Sequence, residues 1–231
     1  RPMTFSAEGL PRGLKLDPAT GRITGRVKRP GEYIVRLNAE NTLGRCERDL
    51  RIIVGDEIAL TPPMGWNSWN CWARDVTQEQ ILSSARAMVE KGLADHGWSY
   101  VNIDDGWQGR RGGQYNAIQP NEKFPDMVAL TREIHDMGLR VGIYSTPWIG
   151  TYAAHIGSYS DRPDGENEWI KKGLHNENYR YQKPNGNYWD DRREVWHHGP
   201  YSFVDADVKQ WGEWEIDYLK YDWHPLDYYH V

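Results

Sequence analysis

The residues best suited to chemistry are carboxylates that close short apolar runs. Asp104 and Asp105 end Tyr100-Val101-Asn102-Ile103-Asp104-Asp105, and Asp222 ends Asp217-Tyr218-Leu219-Lys220-Tyr221-Asp222. A carboxylate held rigidly at a strand end can attack an electrophilic carbon, relay a proton or accept hydrogen bonds from hydroxyls. Lys220, two residues before Asp222, would favour the ionised form of that aspartate. Asp104 and Asp105 need not share a task, because successive strand residues point to opposite sides; one would grip a ligand while the other braces it. Tyr144 closes a third run, Arg140-Val141-Gly142-Ile143-Tyr144.

The aromatic balance narrows the ligand class. Twelve Trp and 14 Tyr stand against 3 Phe, so nearly every large ring carries a polar handle. Such rings suit a wet cleft that stacks the C–H face of a sugar and bonds its hydroxyls, and they equally suit a Trp-rich core. Trp211 and Trp214, at helical spacing, are assigned to the core; Trp69 and Trp107, beside the carboxylate motifs, are assigned to the site.

Two other chemistries compete. Asp104, Asp105, Asp222, His197, His198 and His224 are all potential metal ligands, but adjacent histidines on extended backbone diverge, and the spacing is poor for a metal-dependent hydrolase. A non-catalytic carbohydrate-binding protein could use the same tryptophans as a platform, with Asp222 no more than a helix cap after a strand.

The elements that must position these residues fall into two textures. Residues 1–58 read as β structure. Tyr33, Val35, Leu37 and Ala39 alternate along one strand, Leu50–Val54 forms another, and Asp17-Pro18-Ala19-Thr20-Gly21 makes a tight turn. From 59 to 231 strands alternate with helices, the pattern of a parallel sheet or barrel. Thr77 and Gln80 have capping-box spacing ahead of a helix over 77–92, whose Ile81, Leu82, Ala85, Met88 and Val89 share one face. A second helix runs over 126–137 and a third over 204–214, each feeding a strand. Starting at Met64-Gly65-Trp66-Asn67, four strands are laid down with polar residues at their C-terminal ends, where (β/α)8 enzymes keep their sites. From 146 to 200 the chain is a long polar loop without sustained periodicity.

Composition excludes several classes. The 231 residues carry a net charge of −5, with 26% charged and 39% hydrophobic side chains, which argues against disorder and against a nucleic-acid partner. No apolar run approaches the ~20 residues that span a bilayer, and Arg1-Pro2-Met3 does not open a signal peptide. Two cysteines, Cys46 and Cys71, allow at most one bridge.

Four segments in order, TPPMGWNSWNCW at 61–72, YVNIDDGWQ at 100–108, GLRVGIYS at 138–145 and DYLKYD at 217–222, resemble the successive motifs of glycoside hydrolase family 27, the retaining α-galactosidase family. The resemblance implies a (β/α)8 barrel that removes terminal α-linked galactose, or α-N-acetylgalactosamine or β-L-arabinopyranose, by double displacement with no metal or organic cofactor. It implies Asp222 as nucleophile, Lys220 as a sugar-hydroxyl ligand, and Asp104 and Asp105 as the pair holding the galactose 4- and 6-hydroxyls. Trp69 would be the platform under the sugar and Tyr144 a neighbour of the nucleophile. The family's acid/base aspartate lies on a later strand, so none is assigned, and four strands cannot close a barrel. The expectation is an N-terminal half of a catalytic domain, completed by a C-terminal part of the same polypeptide and inactive alone. GLPRGLKLDPATGRITGRV followed by GEYIVRLNAEN resembles the immunoglobulin-like modules found beside bacterial carbohydrate-active domains, with the opening strands absent. That pairing implies a secreted or periplasmic protein.

Overall fold

The structure is a computed structural model that describes residues 3–56, 62–151, 153, 155–165 and 199–222. The chain divides into two compact units, Arg1–Pro62 and Pro63–Val231.

The first unit is built of antiparallel strands. β1 (Thr4–Glu8), β4 (Gly31–Asn41) and β5 (Gly44–Val54) form one sheet in the order β1-β4-β5, and β2 (Leu14–Leu16) pairs with β3 (Ile23–Gly25). The β2–β3 reversal is the expected turn. The Gly21 N–H donates to the Asp17 carbonyl at 2.8 Å, and Gly21 takes φ +75°, a left-handed value that a side chain would oppose. Asp17 Oδ1 accepts the Ala19 N–H at 2.8 Å, and this bond, ahead of the one involving Thr20, holds the carboxyl below its ordinary range. Val35 is fully buried on β4, as the alternation requires. β5 begins six residues before the predicted Leu50, at Gly44. Its Gly44–Asp49 half is exposed on both faces and shows no apolar alternation; register with β4 and the Arg36–Asp49 contact at 3.0 Å carry the pairing instead.

The second unit holds a four-stranded parallel sheet in the order β13-β10-β7-β6: β6 (Gly65–Asn67), β7 (Tyr100–Ile103), β10 (Arg140–Ser145) and β13 (Tyr218–Tyr221). One face packs on helices α2 (Gln78–Glu90) and α3 (Met127–Asp136). Val101, Ile103, Val141 and Ile143 are fully buried there, in one cluster with Ile81, Leu82, Ala85 and Met88 of α2 and Leu130 and Ile134 of α3. Both halves of the capping box are present: the Gln80 N–H donates to Thr77 Oγ1, and the Thr77 N–H donates to Gln80 Oε1. Helix α4 (Val204–Glu213) adds Trp211, and Trp214 at its C-cap joins the same core, as assigned from their spacing.

Two features depart from the expected pattern. An antiparallel hairpin, β8 (Gln108–Gly112) and β9 (Ala117–Pro120), follows β7 directly. Within the loop expected over 146–200, β11 (Tyr159–Ser160) pairs with β12 (Tyr201–Ser202), while residues 166–198 lie outside the described residues. Arg111 pins the hairpin in place: its side chain and that of Asp207 on α4 are 2% and 0% exposed, 2.7 Å apart, and Arg111 Nη2 also donates to the Gly157 carbonyl at 2.6 Å. No helix among the described residues is long and apolar enough to cross a membrane.

Candidate active site

The parallel registers decide which side chains meet. Gly142 pairs with Asn102 on one side and Tyr218 on the other, and Tyr144 pairs with Lys220. Alternation therefore sets Asn102, Asp104, Gly142, Tyr144, Tyr218, Lys220 and Asp222 on the face opposite the helices. The layers on that face are stacked. A Cβ at Gly142 would lie 2.3 Å from Asn102 Oδ1 and 2.8 Å from the Tyr218 ring, so glycine makes room for both neighbours. Polar groups are concentrated at the C-terminal ends of the strands.

There Lys220 Nζ donates to Asp104 Oδ2 at 2.9 Å and sits 5.1 Å above the Tyr144 ring centroid. The Tyr144 hydroxyl donates to Asp222 Oδ2 at 3.0 Å. Asp222 is just past β13, and its N–H donates to the Ser145 carbonyl at 3.0 Å, which prolongs the ladder by one bond and fixes the aspartate's backbone. Burial first, and then the Asp105 and Asp222 carboxylates, hold the Tyr144 hydroxyl protonated far above the ordinary tyrosine range. Tyr144 is thus a permanent donor to Asp222. The expected Lys220–Asp222 pairing is replaced by Lys220–Asp104: the ammonium reaches across β10 to the end of β7.

Asp104 and Asp105 lie just beyond the end of β7, which closes at Ile103. Both are buried, with 2% and 1% exposure. Asp104 is oriented by its own N–H donating to Ser68 Oγ at 2.9 Å, and its Oδ1 accepts the Asp105 N–H at 2.7 Å. Asp105 turns the other way. Its Oδ1 accepts the Thr151 hydroxyl at 2.8 Å, its Oδ2 accepts the Ala153 N–H at 2.6 Å, and His155 Nδ1 lies 3.2 Å from Oδ1. One carboxylate therefore faces Lys220 and the other organises the loop after β10. Ser68, Thr151 and His155 were not singled out from the sequence; a lone serine, threonine or histidine in a polar loop gives no spacing to read.

Trp69 opens the short helix α1 (Trp69–Trp72) just after β6, half-buried, with its backbone N–H donating to Asn67 Oδ1 at 3.1 Å. Its indole makes no hydrogen bond to the carboxylate cluster among the described residues. Trp107 corrects the reading that put it in the site. It is fully buried in the core, edge-on to Trp214 with centroids 6.0 Å apart, and its indole N–H donates to the Tyr144 carbonyl at 2.9 Å. Gly106 at φ +118° swings the chain inward after the two aspartates. His197, His198 and His224 lie outside the described residues, and among those described no three His, Cys, Asp or Glu side chains are grouped to hold a metal. Cys46 and Cys71 are free, exposed thiols.

A lysine, paired carboxylates and a tyrosine are thus gathered at the C-terminal ends of a parallel α/β sheet, the end at which such folds place their sites. Residues 61–169 match the family described as "Alpha galactosidase A" and residues 1–54 the family described as "Putative Ig domain". A "Probable alpha-galactosidase" of Dictyostelium discoideum is 35% identical over 138 residues, 54% of this chain and 36% of that protein. A "putative alpha-galactosidase" of Bacteroides fragilis superposes with a TM-score of 0.65 at 36% identity, over 97% of this chain and 40% of that one. The α-galactosidase I of Mortierella vinacea gives a TM-score of 0.51 at 32% identity, over 73% of this chain and 32% of that one. Residues 61–169 are thus similar to the α-galactosidase family, and the segment ahead of them is similar to an immunoglobulin-like domain. The chain spans 36% and 28% of the length of the first two curated relatives it matches.

Proposed function

We propose that the second unit is the galactose-recognising part of a retaining glycoside hydrolase acting on terminal α-linked galactose of oligo- or polysaccharides, and that its sheet is part of a (β/α)8 barrel. The observation that carries this reading is the paired arrangement on one rim, Lys220 on Asp104 and Tyr144 on Asp222. An ammonium beside a carboxylate offers donor and acceptor together, which suits adjacent sugar hydroxyls. A sugar epimer that left either one unpaired would be penalised.

In this reading Asp222 attacks the anomeric carbon as the glycosidic C–O bond breaks, and the leaving oxygen takes a proton from a second carboxyl group. Water then attacks the glycosyl ester, gives its proton to that same group, and returns Asp222 to the carboxylate. Tyr144 steadies Asp222 Oδ2; Oδ1 makes no hydrogen bond among the described residues and is the oxygen assigned to attack. Lys220, Asp104 and Asp105 hold hydroxyls directly or through the loop, and Trp69 stacks on the sugar. The acid/base is assigned to no residue of this chain. Further strands of the same polypeptide would cover β13, where Tyr218, Leu219 and Tyr221 are 37%, 37% and 38% exposed. The 231 residues alone should therefore turn over little or nothing. An exported location accords with the immunoglobulin-like segment.

The test is mass spectrometry of the chain after incubation with an activated fluoro-sugar α-galactoside, whose fluoride leaving group lessens the need for an acid. An adduct on the peptide bearing Asp222 is expected. A folded, longer polypeptide that forms no adduct would overturn the galactoside reading, and robust hydrolysis by the 231-residue chain would overturn the division of labour.

A further inference from the structure

Behind Asp222 lies a set of hydroxyls that the proposed reaction does not use. Tyr144 and Asp222 are on the face opposite the helices, so Ser145 and Tyr221, one residue away on each strand and partners in the register, point the other way. Ser145 is fully buried there, and its Oγ lies 3.0 Å from the Oγ of Ser158, which is fully buried as well. Burial pushes the Tyr221 hydroxyl up to about 12, and a hydrogen bond with Ser158 opposes that rise. Hydroxyls from β10, from β13 and from the loop after β10 therefore meet at Ser158.

Ser158 reaches this place because the loop folds back on itself. Its N–H donates to the Thr146 carbonyl at 3.1 Å, between the bond from the Gly157 N–H to the Ile149 carbonyl at 3.0 Å and that from the Tyr159 N–H to the Trp148 carbonyl at 3.1 Å. A Cβ at Gly157 would lie 2.1 Å from the Trp148 carbonyl oxygen and 2.5 Å from Thr146 Oγ1, so the close return needs glycine. The Ser158 carbonyl accepts the Phe203 N–H at 2.8 Å, at the start of α4. These backbone bonds hold the loop without the Ser158 side chain, which leaves the hydroxyl free to act on the strands. Ser145 is also the residue whose carbonyl accepts the Asp222 N–H, at 3.0 Å. Asp222 stands past the last paired residue of β13, and among the described residues its hydrogen bonds are this one and that from the Tyr144 hydroxyl.

We infer that Ser158 is a positioning residue for Asp222: bound to Ser145 and Tyr221 on the face behind the site, its hydroxyl fixes the end of β13 against β10 and so sets where the Asp222 carboxylate stands. The demand for such a device follows from the chemistry, since a displacement of about 1 Å caused away from the reacting atoms can cost about 10²-fold in rate. That Asp222 attacks a sugar rests on the galactoside reading; that Ser158 holds its backbone rests on the hydroxyl cluster alone.

The experiment makes two measurements on the full chain with Ser158→Ala, Ser145→Ala, both together, or Tyr221→Phe. Residue-resolved amide hydrogen exchange by NMR reads the Asp222 N–H, and the kinetics of labelling by the activated fluoro-sugar α-galactoside read its carboxylate. Ser158→Ala should speed exchange at Asp222 tenfold or more and leave the Ala85 and Ile134 amides, buried in α2 and α3, within twofold of the unsubstituted chain. The maximal labelling rate should fall tenfold or more, with the half-saturating sugar concentration unchanged within twofold. Ser145→Ala should act alike, and the double variant should be no worse than either single, because both remove the same bond. Tyr221→Phe, which takes one hydroxyl from a partly exposed ring and opens no cavity, should speed exchange at Asp222 threefold or more. Unchanged exchange at Asp222, an equal rise at all three amides, an unchanged labelling rate, or a double variant whose losses multiply would each overturn the inference. If the unsubstituted chain takes no label at Asp222, the galactoside reading falls, and the exchange rates decide on their own whether Ser158 holds that residue.

Discussion

The Lys220 ammonium lies 2.9 Å from Asp104 Oδ2, across β10 from its own strand, although Asp222 stands only two residues further along. The pair is half in water: the lysine side chain is 33% exposed and the aspartate side chain 3%. Removing the cation leaves a buried carboxylate whose other oxygen is committed to the Asp105 N–H. A fully buried broken pair costs about 3–5 kcal/mol, and the exposure of Lys220 lowers this to about 1–3 kcal/mol. Lys220→Met should destabilise by that amount in urea unfolding, and Asp104→Asn in the same background should restore part of it. If the double variant is as unstable as the sum of the singles, the two residues are not coupled.

Tyr144 offers a spectroscopic test of the rim. Its hydroxyl donates to Asp222, and both burial and nearby carboxylates raise its pKa above the ordinary value of 10.0. The folded chain holds this proton more tightly than the unfolded chain, so the stabilisation is complete below pH 10 and is withdrawn as pH rises beyond it. In an absorbance titration Tyr144 should stay un-ionised while exposed tyrosines form tyrosinate near pH 10. Tyr144→Phe should leave the amplitude of that first step unchanged; a smaller step would show that Tyr144 titrates normally.

Gly142 tests the layering beneath the site. Alanine there would press its Cβ on Asn102 and Tyr218, neighbours on both sides. Overpacking of this kind costs about 1–3 kcal/mol. Gly142→Ala should lower the thermal midpoint and, by shifting β13, reduce fluoro-sugar labelling at Asp222. Gly138, with nothing within 4 Å of a Cβ but a φ of +80°, should respond to alanine through backbone strain alone and leave labelling intact.

How much was readable follows from where the determinants sit. The start of α2 was legible because Thr77 and Gln80 are three residues apart and satisfy each other's N–H groups. Thr77→Ala should cost about 1 kcal/mol in chemical unfolding, and Thr77→Ser almost nothing. The four parallel strands were legible from their apolar runs and trailing polar residues. The β8–β9 hairpin was not, because its residues are polar and Gly-rich, and it is fastened by Asp207, 96 residues from Arg111. Trp107 was misplaced for a related reason. Adjacency to Asp105 suggested the site, but the left-handed Gly106 directs the indole to the core. The partner of Lys220 depended on register between β7, β10 and β13, which sequence distance does not encode.

The Arg111–Asp207 pair should be the most sensitive point of the second unit. Arg111 reaches both Asp207 oxygens, at 2.7 and 3.2 Å, lies 4.2 Å from the Phe203 ring centroid, and bonds the Gly157 carbonyl; Asp207 Oδ1 also accepts the Ile118 N–H at 2.9 Å. Three segments, β8–β9, the loop ahead of β11 and α4, therefore meet on one guanidinium. Arg111→Met leaves the Asp207 carboxylate buried and uncompensated, at a cost of about 3–5 kcal/mol. Asp207→Asn keeps a carbonyl acceptor for Ile118 but strands the guanidinium, and a similar loss is expected. The double variant Arg111→Met with Asp207→Asn buries no charge and should recover about half or more of the loss, because a neutral pair of similar volume avoids the desolvation penalty. Urea unfolding of the four proteins measures the coupling. A double variant no more stable than either single would mean that the pair is held by geometry alone, through the Gly157 and Ile118 bonds, and that its charge contributes nothing.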